Sequence, residues 1–113
     1  MPSFGSTSKA RLKTCHQDHQ TIFNYVIKYF DCSVICGYRD AEAQNKAFDD
    51  GFSKVRFPGS KHNMDPSMAI DAVPWPIEWD NTNRMKYFAG YVMGVAKMLK
   101  DYGAIEHELI SGL

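Results

Sequence analysis

The chain has 113 residues, 44% hydrophobic and 23% charged, an ordinary balance for one small globular domain. Its 13 Lys and Arg are matched by 13 Asp and Glu, so no charge excess points to nucleic acid or to an anionic membrane surface. No basic amino-terminal stretch leads into an apolar core, and the apolar run Tyr87 to Leu99 is too short for a bilayer and carries Lys97. The expectation is therefore a chain made in the cytosol without a signal peptide.

Residues 1–11 are rich in Ser and Gly and are expected to form a flexible lead. From about Leu12 to Phe30, Ile22, Phe23, Val26, Ile27 and Phe30 recur at three- and four-residue steps and predict one long helix. The run Cys32 to Tyr38 reads as a short buried strand closed at Gly37. Asp40 is a candidate N-cap for a second helix that Gly51 stops. A loop marked by Pro58-Gly59 and Pro66 follows, then a second strand over Ser67 to Val73, ended by Pro74 and Pro76. Asn81 to Tyr102 carries the stripe Met85, Phe88, Val92, Val95, Ala96 and Leu99 of another long helix, which Gly103 ends. The closing residues 104–113 are expected to start a further strand. There are no internal repeats. The expected fold is one α+β domain over 12–113, a small antiparallel sheet packed with two or three helices.

Three cysteines form an odd set. Cys32 and Cys36 are evenly spaced, so a regular strand places both on one face. With no second closely spaced pair, they read as buried free thiols in a reducing compartment. His16 and His19, three apart on the first helix, read as solvated side chains.

Asp71 is the residue that composition does not explain. It stands inside Met68-Ala69-Ile70-Asp71-Ala72-Val73, an otherwise apolar run. An unpaired carboxylate buried there costs several kcal/mol or takes up a proton, so it requires a partner. An arginine, a set of backbone N–H groups or a metal ion would each serve. His62, nine residues earlier, favours the metal, since one imidazole and one carboxylate are two of the three protein ligands of a hydrolytic zinc site.

The pattern Ser60-x-His62 with Ala69-x-Asp71, followed by Val73-Pro74, resembles the signature of the zinc D-alanyl-D-alanine carboxypeptidase and L-alanyl-D-glutamate peptidase family, which includes many bacteriophage endolysins. Upstream, Gly37-Tyr38-Arg39 and Gln44 resemble the family's Gly-Tyr-Arg turn and the helix after it. The similarity runs from about Leu12 to Tyr102. It implies His62 and Asp71 as zinc ligands, Arg39 facing the reaction centre, and Ser60 and Gln44 toward the substrate, a peptidoglycan stem peptide. The bacterial cell wall would be the site of action. The eight residues between His62 and Asp71 exceed the six of many relatives, and the turn-forming Asp65-Pro66 is expected to bulge the excess outward.

The family's third zinc ligand, a histidine in a late acidic-x-x-His segment that also carries the general base, has no counterpart here. His107 is the only histidine after Asp71, and Ala104 stands three residues before it; Glu106 and Glu108 only flank it. The resemblance thus implies a peptidase domain lacking a C-terminal part, inactive alone or completed by a second chain. A non-catalytic module that binds peptidoglycan peptides is the alternative, and a purely structural domain a third.

Overall fold

The computed structural model describes residues 2–111, and in it the first helical stripe is divided in two. Helix α1 spans Ser6–Lys13 and helix α2 spans Gln17–Val26. Between them Thr14–His16 leave the helix because their backbone groups are used elsewhere. Ser67 N donates to Thr14 O at 2.9 Å, His16 N donates to Ser67 O at 2.8 Å, and Cys15 faces Ser67 as an isolated parallel bridge. A periodic pattern cannot register such a tertiary claim on three residues.

The flexible lead expected over residues 1–11 is corrected: most of it is α1. Phe4 and Leu12 enter the core, Ser8 Oγ accepts from Val34 N at 3.0 Å, and the Arg11 guanidinium donates to Val34 O at 3.1 Å. A serine-rich opening suits a helix here because its side chains satisfy the outward-facing groups of a strand. Met1 lies outside the described residues.

That strand, β1 (Cys32–Cys36), pairs antiparallel with β2 (Asp71–Pro74). Cys32 faces Pro74, Ser33 faces Val73 and Val34 faces Ala72, but Cys36 faces Asp71, so Ile35 is an extra residue in a bulge. The second strand is shorter than expected. Ser67 to Ile70 instead form a turn in which Ser67 Oγ donates to Ala69 O at 2.6 Å.

Helix α3 (Ala41–Asp49) begins at Asp40, whose carboxylate accepts from Ala43 N at 2.8 Å. Helix α4 (Thr82–Asp101) begins at Asn81, whose side chain accepts from Arg84 N at 3.1 Å. Both end before a glycine in the left-handed region, Gly51 at φ 81° and Gly103 at φ 77°. The stripe Phe88, Val92, Val95 and Ala96 of α4 packs on α2, where Ile22, Phe23 and Val26 are buried, and α4 also lies on β2. Each such side chain contributes roughly 1.5–3 kcal/mol by leaving water. Phe30 adds ring contacts to Phe88 and Tyr91, with centroids 5.1 and 5.4 Å apart.

Residues 104–111 form no strand. Ile105 is buried, and the Asp18 carboxylate of α2 accepts from Glu106 N and His107 N at 3.1 and 2.9 Å, doing for these donors what a neighbouring strand would do. The rest of the expected strand, Gly112 and Leu113, lies outside the described residues. The α+β class therefore stands, and among the described residues there are four α-helices rather than two or three around a two-stranded sheet. No helix among the described residues is long and apolar enough to cross a membrane.

Candidate metal centre

Gly37, at the end of β1, starts the construction of the site. It passes so close to α1 that an added Cβ would lie 2.6 Å from Arg11 O and 2.8 Å from Cys15 Sγ. Gly37→Ala is accordingly expected to destabilise the fold by about 1–3 kcal/mol, because a backbone carbonyl cannot yield as a side chain can. A thermal melt would then fall by about 4–8 °C per kcal/mol, and an unchanged melting point would refute the close packing.

The Gly37 carbonyl accepts from His62 Nδ1 at 2.8 Å. This fixes the proton on Nδ1 and turns Nε2 to the outside of the loop, the arrangement by which a carbonyl orients a metal-binding imidazole. Ser60 sets the loop itself. Its hydroxyl caps the short 3₁₀ turn Lys61–Asn63 by accepting from His62 N at 3.1 Å, while Ser60 N donates to Asn63 Oδ1 at 3.0 Å. Arg39 N donates to His62 O at 2.7 Å, and Asn63 Nδ2 donates to Arg39 O at 2.9 Å, so the Arg39 and His62 segments are laced together. The excess residues between His62 and Asp71 do bulge outward, with Met64, Asp65 and Pro66 exposed.

At the centre, His62 Nε2 lies 3.4 Å from Asp71 Oδ2, and an Arg39 guanidinium nitrogen lies 3.8 Å from the same oxygen. Asp71 is not buried as its apolar neighbours suggested: its side chain is 55% exposed. β2 begins at Asp71 on the open edge of the sheet, so the carboxylate reaches the surface while Val73 and Pro74 go inward. The His62 pairing comes first among the causes that hold its carboxyl below the usual range, with Arg39 adding to it. In return Asp71, then Cys36, push the His62 imidazolium up to about 10 against the cost of its partial burial.

Cys36 is the member that sequence reasoning missed. Cys36, His62 and Asp71 each offer a ligand atom, all within 4.8 Å of one another. The even spacing of Cys32 and Cys36 implied one face and one fate, but the bulge at Ile35 shifts the register and turns Cys36 onto the face of Asp71. The chemistry of the two thiols then diverges. Burial pushes Cys32 up to about 12 and raises Cys15, while the His62 side chain, aided by Arg39, lowers Cys36 against burial. The adjacency Cys36-Gly37-Tyr38-Arg39 at a strand end was the signal available. A Cys–His–Asp relay is not what this geometry offers. Nδ1 of His62 is taken by Gly37 and Nε2 faces Asp71, so no ring nitrogen is left to link the thiol to the carboxylate as a relay requires. One sulfur, one nitrogen and one oxygen donor in this convergence fit a zinc-class cation.

Gln44 corrects the substrate contact expected of it. It is fully buried: Oε1 accepts from Arg39 at 3.0 Å and from Asn63 at 3.2 Å, and Nε2 donates to Ser53 Oγ at 2.8 Å and Val55 O at 2.7 Å. Its role is to aim Arg39. Gln44→Leu, similar in volume, should strand these partners and cost about 1–3 kcal/mol in a denaturant melt; a neutral result would show that water replaces the amide.

The solvated reading of His16 and His19 is also corrected. His19 is buried, and His16 caps α2 with Nδ1 accepting from Asp18 N at 3.0 Å. His107 Nδ1 lies 2.7 Å from Asp18 Oδ2, giving a second group, His16, Asp18 and His107, separate from the first. Beside Asp71 opens an apolar cavity of about 520 Å³, lined among others by Ile70, Trp79, Met85, Phe88 and Met93. No protein-family model, curated protein or solved structure matches the chain.

Proposed function

We propose that the chain is a zinc peptidase-like domain directed at the stem peptides of peptidoglycan, with Cys36, His62 and Asp71 as metal ligands. The observation that carries this reading is the convergence of three donor atoms beside Arg39, with His62, Asp71 and Arg39 at the positions that the family signature implies. Cys36 would supply the third donor that the family takes from a later histidine. Zinc bound there would supply Lewis-acid activation of a water or a carbonyl.

The chain's own groups prepare that chemistry. The Gly37 carbonyl holds the His62 ring, leaving Nε2 as the donor nitrogen. Arg39, held by Gln44, presents a fixed positive charge to a substrate carboxylate or to a developing oxyanion. The cavity past Asp71 offers an apolar wall to the rest of the peptide.

A non-catalytic peptide-binding module is the second reading. It is favoured by one observation: among the described residues, no further acidic side chain joins the Cys36, His62 and Asp71 group to take the proton from water. Positioned acid–base catalysis is typically worth about 10²–10⁴-fold. The test is release of new amino groups from purified peptidoglycan by the zinc-loaded chain, alongside calorimetric binding of a soluble stem peptide. The expected result is binding with little hydrolysis, and restored hydrolysis when a second chain donates an acidic-x-x-His segment. Robust cleavage by the chain alone, lost with chelator or in Asp71→Ala, would eliminate the binding-module reading. Neither binding nor cleavage would end the cell-wall assignment altogether.

A further inference from the structure

The histidines that the Cys36 centre leaves unused gather where the C-terminal segment meets the start of α2. We propose that His16, Asp18 and His107 form a second divalent-cation site, of the zinc class, that fastens residues 105–111 to α2. Each residue offers one ligand atom, and the three lie within 4.8 Å of one another. From Asp18 Oδ2, His107 Nδ1 is 2.7 Å away and His16 Nδ1 is 3.9 Å away, with the two rings edge to face at 4.9 Å. Bonds of about 2.0–2.2 Å in a tetrahedral site set ligand atoms roughly 3.4 Å apart, which the two observed separations bracket. To admit the ion, His16 Nδ1 gives up the Asp18 N–H that it accepts as the cap of α2, and His107 Nδ1 gives up its hydrogen bond to Asp18, so the cation competes with two existing hydrogen bonds.

The surroundings suit a borderline cation and not a hard one. Two imidazoles and a single carboxylate give too few oxygens for calcium or magnesium. The Asp18 carboxylate is already fixed by two backbone N–H groups, so little ordering remains to be done on binding. His19 lies beside the group with both ring nitrogens buried and no hydrogen-bond partner meeting normal geometry. The partial positive charge at the start of α2 opposes the ion, and affinity is expected below that of the Cys36 centre.

The consequence is structural. Two residues past His107, Leu109, Ile110 and Ser111 line the same cavity as Asp71. A cation on His107 would therefore order one wall of that cavity.

Titration of the metal-free His62→Ala chain with Zn²⁺ and Co²⁺ isolates this site, with Cys36→Ser as a second background. We expect one saturable ion per chain, cobalt absorption without thiolate charge-transfer bands, and slower carboxypeptidase trimming of the chain end when zinc is present. Adding His107→Gln, or independently His16→Gln, should weaken binding at least about tenfold, and should abolish the protection. Circular dichroism identifies which variants remain folded; glutamine at 107 can still hydrogen-bond Asp18, so that variant decides if His16→Gln unfolds. Absence of saturable binding in both backgrounds, or binding indifferent to His107→Gln, would overturn the proposal. Neither result bears on the Cys36 centre, which both backgrounds remove.

Discussion

Replacing His62 with alanine is expected to lower the zinc affinity of the higher-affinity site by more than the roughly 10–100-fold that loss of an outer-shell partner costs. His62 supplies the only nitrogen in the Cys36, His62 and Asp71 group, and its ring is already oriented by Gly37. Its loss leaves only a thiol and a half-exposed carboxylate, both beside the Arg39 guanidinium, as donors to the ion. Asp71→Ala should act in the same direction, while Ser60→Ala, which loosens only the loop, should cost far less. Competition against a chromogenic chelator measures all three. If His62→Ala binds zinc at that site as tightly as the parent chain does, the centre does not exist.

A second large effect is expected from pH. In the metal-free chain the Asp71 and Cys36 side chains keep the His62 imidazolium protonated up to about 10. The Cys36 thiol is lowered from its ordinary 9.0. Zinc takes a neutral imidazole and a thiolate, so binding near neutrality must expel a proton from His62 and part or all of one from Cys36. Affinity should rise by one to two logarithmic units per pH unit, roughly 10²–10⁴-fold between pH 6 and 8. Calorimetry in buffers of different ionisation enthalpy counts the protons directly; a pH-independent affinity would contradict the assignment of His62 as ligand.

The same shifts fix the sign for the metal-free fold. The raised pKa of His62 means that its contribution to stability is complete below about 6.5 and disappears as pH rises through about 10. The lowered pKa of Asp71 gives a contribution present above 3.8 and lost as pH falls through its folded value. Between those limits the ion pair is intact, though exposure of Asp71 to solvent keeps its net worth modest. Melting temperature should therefore fall between about pH 6.5 and 10 in the parent chain and less so in His62→Gln.

The amino-acid sequence by itself determined the elements whose causes are local. Asp40 and Gly51 bound α3 and Asn81 and Gly103 bound α4, because a cap and a left-handed glycine act within one turn of the backbone. The α+β class followed from two short apolar runs set among helical stripes. Tertiary structure decided the rest. It broke the first helix at Thr14–His16 to serve Ser67, and it made a helix of the serine-rich opening to serve Val34. It placed Asp71 at the first position of β2, where the side chain is half exposed while Val73 and Pro74 further along are buried, a fact that the residues beside it in sequence do not fix. A one-residue bulge moved Cys36 from the face of Cys32 to the face of Asp71, since in a strand of period two a single extra residue reverses every later side chain. Asp18 and His107, 89 positions apart, meet only because the segment after α4 returns to the start of α2.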